Sequence, residues 1–554
     1  MSMTQCLCIV SIALNGLFSG TARAAVTAQF EWSMEPRFGK TNEATKHVPA
    51  LKAGGVTVYR AYDFHYSITE YNLSQCYINP ESYKWGANCP NSPWVVSFDA
   101  SKSVGTNFEW TVRRGSCDSL VKSKITCTFP ELGEYTIALK VSEKEGGSAI
   151  ERQQITLKDL LIVSLGDSVG SGEGVPDVSR SVVGHATIPL VGTSISVYSP
   201  VVWSDRRCHR SAHAGSARAA KDIEEADPHT SVTFVHLACS GAGIENGMLD
   251  YYVGQEPERF TCSHGANGYN SCSGRAKPHF CTLSVCTRLL QPQVDMVAQL
   301  LCPTQLPMDS RGRVIKPCPA EGMRKIDVLM ISVGANDVEF GDVVKACMVF
   351  ENCHLRRTTH TSWNHKTNEF VRVLQRVDNN IEGLQSKFRK LHEAIGEKLP
   401  VQPAAVFVTE YFDPTHDGDK FCNRDGGDAA KIAETETGHN YLVLGVADAV
   451  DPVIDFDGLK HDEYEWAYKS IVKPMNDQVE AAAKEFGWIF VGGIQNAFRK
   501  HGLCADDNWV NGLEASFQRQ ADYTGTMHPN NAGHKAYSEA LRPALKARIT
   551  PTPL

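Results

Sequence analysis

The stretch DLLIVSLGDSVGSGEG, residues 159–174, decides the fold of this chain. Residues 160–165 form an apolar run, broken only by Ser164, with β-branched members and no alternation, which is typical of a strand covered on both faces, as in a parallel sheet. The glycines that follow permit backbone angles closed to other residues, so the run is predicted to end in a tight turn. Asp167 and Ser168 therefore come at the carboxyl end of a strand, where open α/β sheets place their ligands and their chemistry.

Four more apolar runs follow, each long enough for a buried strand, at residues 231–239, 327–334, 404–411 and 487–494. Helical patterns lie between and after them, at residues 212–225, 288–301, 367–399, 463–486 and 532–548. The longest carries a single apolar stripe at helical spacing, and Pro474 is expected to open a second segment of the fourth. Strand and helix alternating five times predict an α/β domain over residues 159–549, with a doubly wound, five-stranded parallel sheet.

Residues 25–158 have the pattern of a separate β-rich domain, in keeping with a chain of 554 residues that is too long for one ordinary core. Short runs rich in β-formers recur between turn signals at residues 94–101, 108–112, 135–141 and 149–157. Within residues 135–141 polar and apolar residues alternate, which indicates a strand with one buried face. The pattern predicts a β-sandwich.

Three segments of this domain, SFDASKS, FEW at residues 108–110 and PELGEYTIALKVSEKEGG, resemble PKD-type immunoglobulin-like domains, in which a Trp on one strand packs the core. Cys117 with Cys127, and Cys76 with Cys89, are candidate disulfides, but pairing cannot be read from sequence. A domain of this kind has no evident chemistry of its own. We expect it to act as a spacer, and the alternative is contact with a polymer or a cell surface.

Charge and hydropathy argue for an exported protein that does not bind nucleic acid. The net charge is -8 and the pI is near 6.2, which leaves no basic patch for nucleic acid. Residues 9–19 are apolar but too short to span a bilayer, and Ala22-Arg23-Ala24 follows as a small-x-small cleavage signal, so residues 1–24 are predicted to be a secretory signal peptide. No later stretch reaches the roughly 20 apolar residues of a transmembrane helix. The mature protein is expected to be secreted, to the extracellular space or the periplasm.

The cysteine content supports export. Of eighteen cysteines, Cys6 and Cys8 fall in the predicted signal peptide, and the remaining sixteen, an even number, predict a disulfide framework. No paired C-x-x-C units or His-rich clusters have metal-ligand spacing, so we expect no metal and no other cofactor. Six cysteines of an insertion at residues 245–323 are predicted to staple a region with little core of its own: Cys262, Cys272, Cys281, Cys286, Cys302 and Cys318.

Three further segments carry residues suited to catalysis, and they follow the later strands or precede the last helix. The second strand leads into CSGAG at residues 239–243, where a glycine lets backbone N–H groups approach a ligand. The third leads into GAND at residues 334–337, which presents a side-chain amide, and MHPNNAGH at residues 527–534 places His528 just before a helix. Each has an ordinary explanation alone, as a turn, a helix cap or a surface histidine. Together, at successive strand ends, they indicate one site.

In this order the segments resemble the four marker blocks of SGNH (GDSL) hydrolases, which supply Ser, Gly, Asn and His. Ser168 matches the first block, Gly241 the second, Asn336 the third and His528 the fourth, and CHRS at residues 208–211 is similar to a segment of secreted bacterial esterases and lipases. The resemblance implies a serine esterase or lipase in which His528 activates Ser168 as the nucleophile. It also implies an oxyanion hole made of the Ser168 N–H, the Gly241 N–H and the Asn336 side-chain amide.

The fourth block departs from the family pattern, which has an Asp three residues before the His. Gly525 occupies that position. Asp522, Asp506 and Asp507 are candidates to orient the His528 ring. The alternative is a backbone carbonyl just before His528 that accepts the Nδ1 proton.

The other polar residues near these segments are expected to be structural. We expect Asp167 to hydrogen-bond the turn, His209 to cap or pack rather than line the site, and His236 to be a satisfied core histidine. Three more histidines lack acidic or cysteine partners and are expected at the surface: His354, His360 and His365.

The predicted substrate is a carboxylic ester, namely an acyl glycerol, a phospholipid or an acylated polysaccharide. A second insertion, at residues 182–202, is long, apolar and poor in charge. This suits a flap or a lipid-contacting rim and favours lipids, and packing on the first domain is the alternative. The competing function is a non-catalytic cell-surface or polysaccharide-binding protein with a degenerate hydrolase domain. The missing Asp favours that reading, and the four marker residues argue against it.

Overall fold

The computed structural model describes residues 25–37, 51–53, 56–58, 78–79, 84–85, 94–144, 146–187, 194–199, 201–256, 259–261, 263–264, 270–271, 279–282, 285–304, 306–309, 313–319, 323–349, 361–364, 369–423 and 459–549. The predicted signal peptide lies outside these residues, as do Cys76, Cys89, Cys262, Cys272, His354, His360 and His365. The chain divides into two compact units, one of Met1–Ser33 and Trp94–Leu157 and one of Met34–Pro93 and Lys158–Leu554.

The smaller unit consists of two antiparallel sheets. One pairs Glu31–Met34, Trp94–Asp99, Lys124–Phe129 and Ser116–Cys117, and the other pairs Asn107–Val112, Gly133–Ser142 and the start of Ser148–Gly166. Alternate residues of Gly133–Ser142 are buried, as the sequence predicts: Tyr135, Ile137, Leu139 and Val141. This strand therefore has one face in the core and one face in solvent.

An aromatic cluster forms the core of this unit. The Trp110 ring lies 5.1 Å from that of Phe30 and 5.7 Å from that of Phe98, in edge-on or tilted geometry. Its indole N–H donates to the Lys122 carbonyl at 2.8 Å, so the buried ring keeps a hydrogen-bond partner. The disulfide Cys117–Cys127 joins two paired strands, which confirms this predicted pairing. The likeness to PKD-type domains stays a prediction.

The larger unit is built on five strands that pair in parallel. In spatial order they are Thr230–His236, the carboxyl half of Ser148–Gly166, Val328–Ser332, Val406–Thr409 and Ile489–Val491. Each coincides with one of the apolar runs of the sequence. With the antiparallel sheets, this makes the protein a mixed α/β fold with a central, mostly parallel sheet.

Helices connect and follow these strands. They span Ser168–Ser171, Gly215–Ala226, Gln293–Leu301, Phe340–Val349, Val373–Lys398, His461–Ala467, Lys473–Phe486, Ile494–Phe498, Leu513–Gln520 and Asn531–Ile549. Pro474 lies in the first turn of Lys473–Phe486, as predicted, after a π-helical turn at Tyr468–Val472. The helix predicted at residues 367–399 begins only at Val373, because Glu369–Arg372 pairs as a strand with Thr361–Asn364. The prediction was wrong there because so short an apolar segment fits either period.

The strand before Ser168 is buried on both faces. Leu161 and Val163 enter one core cluster, and Ile162 enters another. The first cluster also contains residues of the helices Gln293–Leu301, Val373–Lys398 and Lys473–Phe486. The second also contains residues of Gly215–Ala226 and Asn531–Ile549. The pleat sends neighbouring side chains to opposite faces, which explains why apolar residues follow one another here without alternation.

The two predicted insertions contain short antiparallel strands. Val182–Thr187 pairs with Ser194–Tyr198, and strand pairs also occur in the cysteine-rich insertion, where Cys302 is bonded to Cys318. The disulfides Cys208–Cys239 and Cys422–Cys504 lie in the same unit and agree with the predicted framework. None of the helices in the described part of the chain combines the length and apolar character that a bilayer crossing needs.

Candidate active site

Ser168 begins a one-turn helix directly after the central strand. The Asp167 side chain caps this helix, accepting from the backbone N–H groups of Val169 at 3.0 Å and Gly170 at 3.5 Å. This confirms the structural role predicted for Asp167. The Tyr411 hydroxyl donates to its second carboxylate oxygen, and burial raises the pKa of Asp167 to about 7. The cap and the turn hold Ser168 at the carboxyl end of the sheet.

His528 contacts Ser168 although 360 residues separate them along the chain. Its Nε2 is 2.7 Å from Ser168 Oγ, and its Nδ1 is 3.0 Å from the Thr526 carbonyl oxygen. A carbonyl only accepts, so Nδ1 carries the proton and Nε2 is free to accept the proton of the Ser168 hydroxyl. Burial lowers the pKa of His528, and the Glu173 carboxylate opposes this in part, so the ring is neutral at neutral pH.

The Asp522 carboxylate is not the group that meets Nδ1 of His528. Its Oδ1 accepts from Gln520 Nε2 at 2.6 Å and from the Thr524 N–H at 2.8 Å, and no hydrogen bond joins Asp522 to His528 within the described residues. Asp506 and Asp507 are exposed. Of the alternatives left open by the sequence, the structure therefore places a backbone carbonyl, that of Thr526, against the ring.

Two of the three predicted oxyanion donors are backbone N–H groups, those of Ser168 and Gly241. Within the described part of the chain, neither the Ser168 N–H nor the Gly241 N–H makes a hydrogen bond to protein. The third donor, Asn336 Nδ2, donates to the Ala242 carbonyl at 3.0 Å, which ties this side chain to the Gly241 loop. Unpaired N–H groups beside a nucleophile are the donors that an anionic transition state needs.

The loop that carries Gly241 is held from several sides. The disulfide Cys208–Cys239 anchors its start, and the Tyr252 hydroxyl donates to the Ser240 carbonyl at 2.9 Å. Just beyond it, the Ile244 N–H donates to Asp337 Oδ2 at 2.8 Å. These contacts bring the second and third marker segments together and fix the direction of the Gly241 peptide.

A buried ionic cluster beside His528 was missed by the sequence analysis. His209 Nδ1 is 2.9 Å from Glu173 Oε2, and His209 Nε2 is 3.2 Å from Glu256 Oε1. The His209 ring also stacks on Trp203 at 4.5 Å, so the expected packing role holds but is incomplete. A signal was present in Glu173, a carboxylate in the glycine-rich turn after a buried strand, and such a group needs a partner when buried.

The same region contains a cluster of potential metal ligands. Single ligand atoms of His209, Glu256 and Asp522 lie within 4.8 Å of one another. His209 is already paired through both ring nitrogens, and Asp522 accepts hydrogen bonds from its own loop. These contacts account for all three side chains, and we assign no metal to them.

Two further histidines near the site are engaged by backbone carbonyls. His236 Nε2 is 2.9 Å from the Gly170 carbonyl oxygen, which confirms a satisfied core histidine, and His534 Nε2 is 3.2 Å from that of Glu173. Burial lowers the pKa of each ring to about 3. Both rings are therefore neutral structural groups.

Comparisons with known proteins found distant likeness to solved structures. No family model and no curated protein sequence matches the chain. An extracellular lipase from Streptomyces rimosus aligns at a TM-score of 0.36 and 16% identity, over 70% of this chain and 99% of the lipase. A phospholipase A1 from Streptomyces albidoflavus aligns at a TM-score of 0.35 and 14% identity, over 71% of this chain and 100% of that enzyme. Likeness this weak carries no argument about function, which must come from the site.

Proposed function

We propose that the larger unit is a serine hydrolase of the SGNH type, with a doubly wound sheet, that cleaves carboxylic esters through an acyl-enzyme intermediate. The contact between His528 Nε2 and Ser168 Oγ, at 2.7 Å, carries the proposal. It is the geometry that a nucleophile and its general base require. The Thr526 carbonyl on the far side of the ring supports this contact, because it holds the one tautomer that can act as a base.

In the first half of the reaction His528 Nε2 takes the proton of the Ser168 hydroxyl while Oγ bonds to the ester carbonyl carbon. The carbonyl oxygen becomes an oxyanion, which the N–H groups of Ser168 and Gly241 and the Asn336 amide stabilise. The intermediate collapses as the bond to the alkoxy oxygen breaks. His528 returns the proton to that oxygen, and the alcohol leaves an acyl group on Ser168.

In the second half water takes the place of the alcohol. His528 accepts a proton from the water as its oxygen attacks the acyl carbon, and the same donors stabilise the second oxyanion. Collapse releases the carboxylic acid and returns the proton to Ser168 Oγ. No residue other than His528 transfers a proton, so the site works as a dyad whose ring is oriented by a backbone carbonyl.

The substrate class follows from the sequence, and an acyl glycerol, a phospholipid or an acylated polysaccharide fits the chemistry equally. The apolar insertion at residues 182–202 favours a lipid ester. The competing proposal of a degenerate, non-catalytic binding protein depended on the missing Asp. A carbonyl at Nδ1 of His528 removes the need for that Asp and therefore favours catalysis.

We extend the proposal to the organisation of the chain. Removal of a signal peptide at residues 1–24 would release a protein with a PKD-like sandwich at residues 25–158 and the hydrolase at residues 159–549. The sandwich would act as a spacer or contact a polymer or cell surface. Amino-terminal sequencing of the protein recovered from the culture medium tests the export and its cleavage site.

The test of activity compares the full-length, disulfide-bonded protein with its Ser168→Ala variant on p-nitrophenyl acetate, butyrate and palmitate and on a diacyl phospholipid. Loss of the nucleophile is expected to lower kcat by several orders of magnitude. Ser171→Ala is the matched control, because Ser171 lies in the same turn and its hydroxyl donates to the Ser168 carbonyl at 3.0 Å. We expect this control to lose about 1 kcal/mol of stability but to keep its turnover.

Two outcomes would contradict the proposal. Equal turnover by the wild type and Ser168→Ala would remove Ser168 as the nucleophile. A wild type that hydrolyses none of the esters and does not react with a fluorophosphonate at Ser168 would favour the binding protein. If the wild type is active, the order of turnover among the three p-nitrophenyl esters ranks its acyl-chain preference.

A further inference from the structure

We propose that Glu173 is a positioning residue whose buried ion pair with His209 holds the segment carrying His528 in place and keeps a negative charge beside its imidazolium. The inference rests on the proposed function, since it gives the dyad an electrostatic partner that makes no contact with the reacting atoms. It concerns residues outside the four marker positions.

Glu173 is fully buried, with 0% of its surface exposed. A carboxylate in that position is costly unless charge and hydrogen bonds compensate it. His209 Nδ1 lies 2.9 Å from its Oε2, and its Oε1 accepts from Gln520 Nε2 at 2.6 Å and from Thr524 Oγ1 at 3.1 Å. The compensation therefore comes from the His209 cation and from neutral donors, namely Gln520 and Thr524 shortly before His528 and the Ser240 hydroxyl beside Gly241.

These contacts join three parts of the chain. Glu173 lies in the turn that begins with Ser168, His209 lies in the CHRS segment, and Gln520 and Thr524 shortly precede His528. The backbone contributes as well, because Asn511 Nδ2 donates to the Gly174 carbonyl at 3.1 Å. At Gly174 a Cβ atom would lie 2.9 Å from the Pro529 carbonyl oxygen, so the nucleophile turn and the His528 segment are in close contact. Glu173 is a fully buried charged group at this junction.

His209 is held as a cation by its surroundings. Both ring nitrogens face carboxylates, with Glu173 on one side and Glu256 on the other at 3.2 Å, so both must carry a proton. Burial lowers the pKa of His209, but the two carboxylates outweigh it and raise the pKa to about 10. For Glu173 burial acts in the other direction and raises the pKa, but the positive charge of His209 outweighs it and lowers the pKa to about 2. The pair is thus ionised across the neutral range.

Among the described residues, three charged groups act on His528: Glu173, His209 and Asp522. Burial has the largest effect on the His528 pKa and lowers it. Of the three charged groups, Glu173 has the largest effect and raises the pKa, His209 lowers it, and Asp522 raises it least. Since His528 becomes an imidazolium as Ser168 attacks, a negative charge at Glu173 stabilises that state. Loss of the Glu173 charge should therefore lower both the His528 pKa and kcat.

The experiment titrates His528 by NMR in the full-length, disulfide-bonded protein with isotope-labelled histidine, using His528→Asn to assign its signal. Glu173→Gln keeps the shape without the charge, and Glu173→Asp keeps the charge in a shorter side chain. We expect Glu173→Gln to lower the His528 pKa by about one unit and kcat by about tenfold, with a smaller change in KM. Glu173→Asp should leave the His528 pKa close to that of the wild type.

The chain offers a matched control in a second buried carboxylate–histidine pair. Asp413 Oδ2 is 2.6 Å from His416 Nδ1, and within the described residues no hydrogen bond or ion pair joins this pair to Glu173 or His528. Asp413→Asn should lower the melting temperature but leave the His528 pKa unchanged. A purely structural role for Glu173 would make Glu173→Gln behave like this control, and that result would overturn the inference.

A measurement on the wild type keeps the test open if Glu173→Gln does not fold. The His209 imidazolium signal should persist well above the ordinary histidine pKa of 6.5. A His209 ring that titrates near 6.5 would refute the ion pair. A wild type that is inactive on every ester would overturn the proposed function but not this inference, because the His528 and His209 titrations do not depend on turnover.

Discussion

Replacing Gly241 by alanine tests the oxyanion site where the structure leaves no room for a side chain. Gly241 has φ of +82°, and a Cβ atom there would overlap the Tyr252 hydroxyl and lie 3.2 Å from Tyr252 Cζ. The hydroxyl donates to the Ser240 carbonyl at 2.9 Å, so it cannot retreat without breaking that bond. The left-handed backbone adds about 1–2 kcal/mol for a residue with a side chain. Rotation of the Gly241 peptide would relieve both the overlap with Tyr252 and the backbone strain, and it would turn the Gly241 N–H away from the oxyanion.

The expected result of Gly241→Ala is a fall in kcat of about 100-fold or more, which is typical for the loss of one oxyanion donor. Hydrolysis of p-nitrophenyl butyrate gives kcat and KM, and thermal melting reports the cost in stability. Gly493→Ala is the matched control, because Gly493 has φ of +85° and nothing lies within 4 Å of a Cβ there. It carries the same backbone strain without the clash. A Gly241→Ala variant with the kcat of this control would refute the assignment of the Gly241 N–H.

Three further predictions follow from the site. Asp522→Asn should lower kcat by no more than about tenfold, because the Thr526 carbonyl and not Asp522 meets Nδ1 of His528. Where an Asp orients the catalytic histidine, the same change costs about 10⁴-fold, and a loss of that size here would restore Asp522 as the orienting residue. Asn336→Ala should lower kcat about 100-fold with little change in melting temperature, and an unchanged kcat would exclude it as a donor. The folded-state pKa of His209 is raised from 6.5 to about 10, so its stabilisation is complete below pH 6.5 and is lost as the pH rises towards 10. Urea unfolding of the wild type and His209→Gln between these pH values should show the difference shrinking, and a constant difference would contradict it.

Much of the parallel sheet was predictable because burial constrains composition. A strand covered on both faces is mostly apolar, with small polar residues such as Ser164 and Thr233 as exceptions, and the five runs in the sequence coincide with the five parallel strands. The segment at residues 367–372 failed because its few apolar residues fit a helix or a strand, and pairing with Thr361–Asn364 decided between them. Local pattern is informative where it is long and ambiguous where it is short.

The sequence by itself determined the candidate nucleophile, base and oxyanion donors, because Ser168, His528, Gly241 and Asn336 are residue types whose chemistry is visible in local motifs at strand ends. Only the tertiary structure decided how the base is held. The Thr526 carbonyl has no sequence signature, since every residue carries a carbonyl and only its direction in space distinguishes one. The Glu173–His209 pair joins residues 36 positions apart, and nothing local to either names the other. Side-chain chemistry is encoded one residue at a time, whereas direction, burial and charge pairing exist only once the chain has folded.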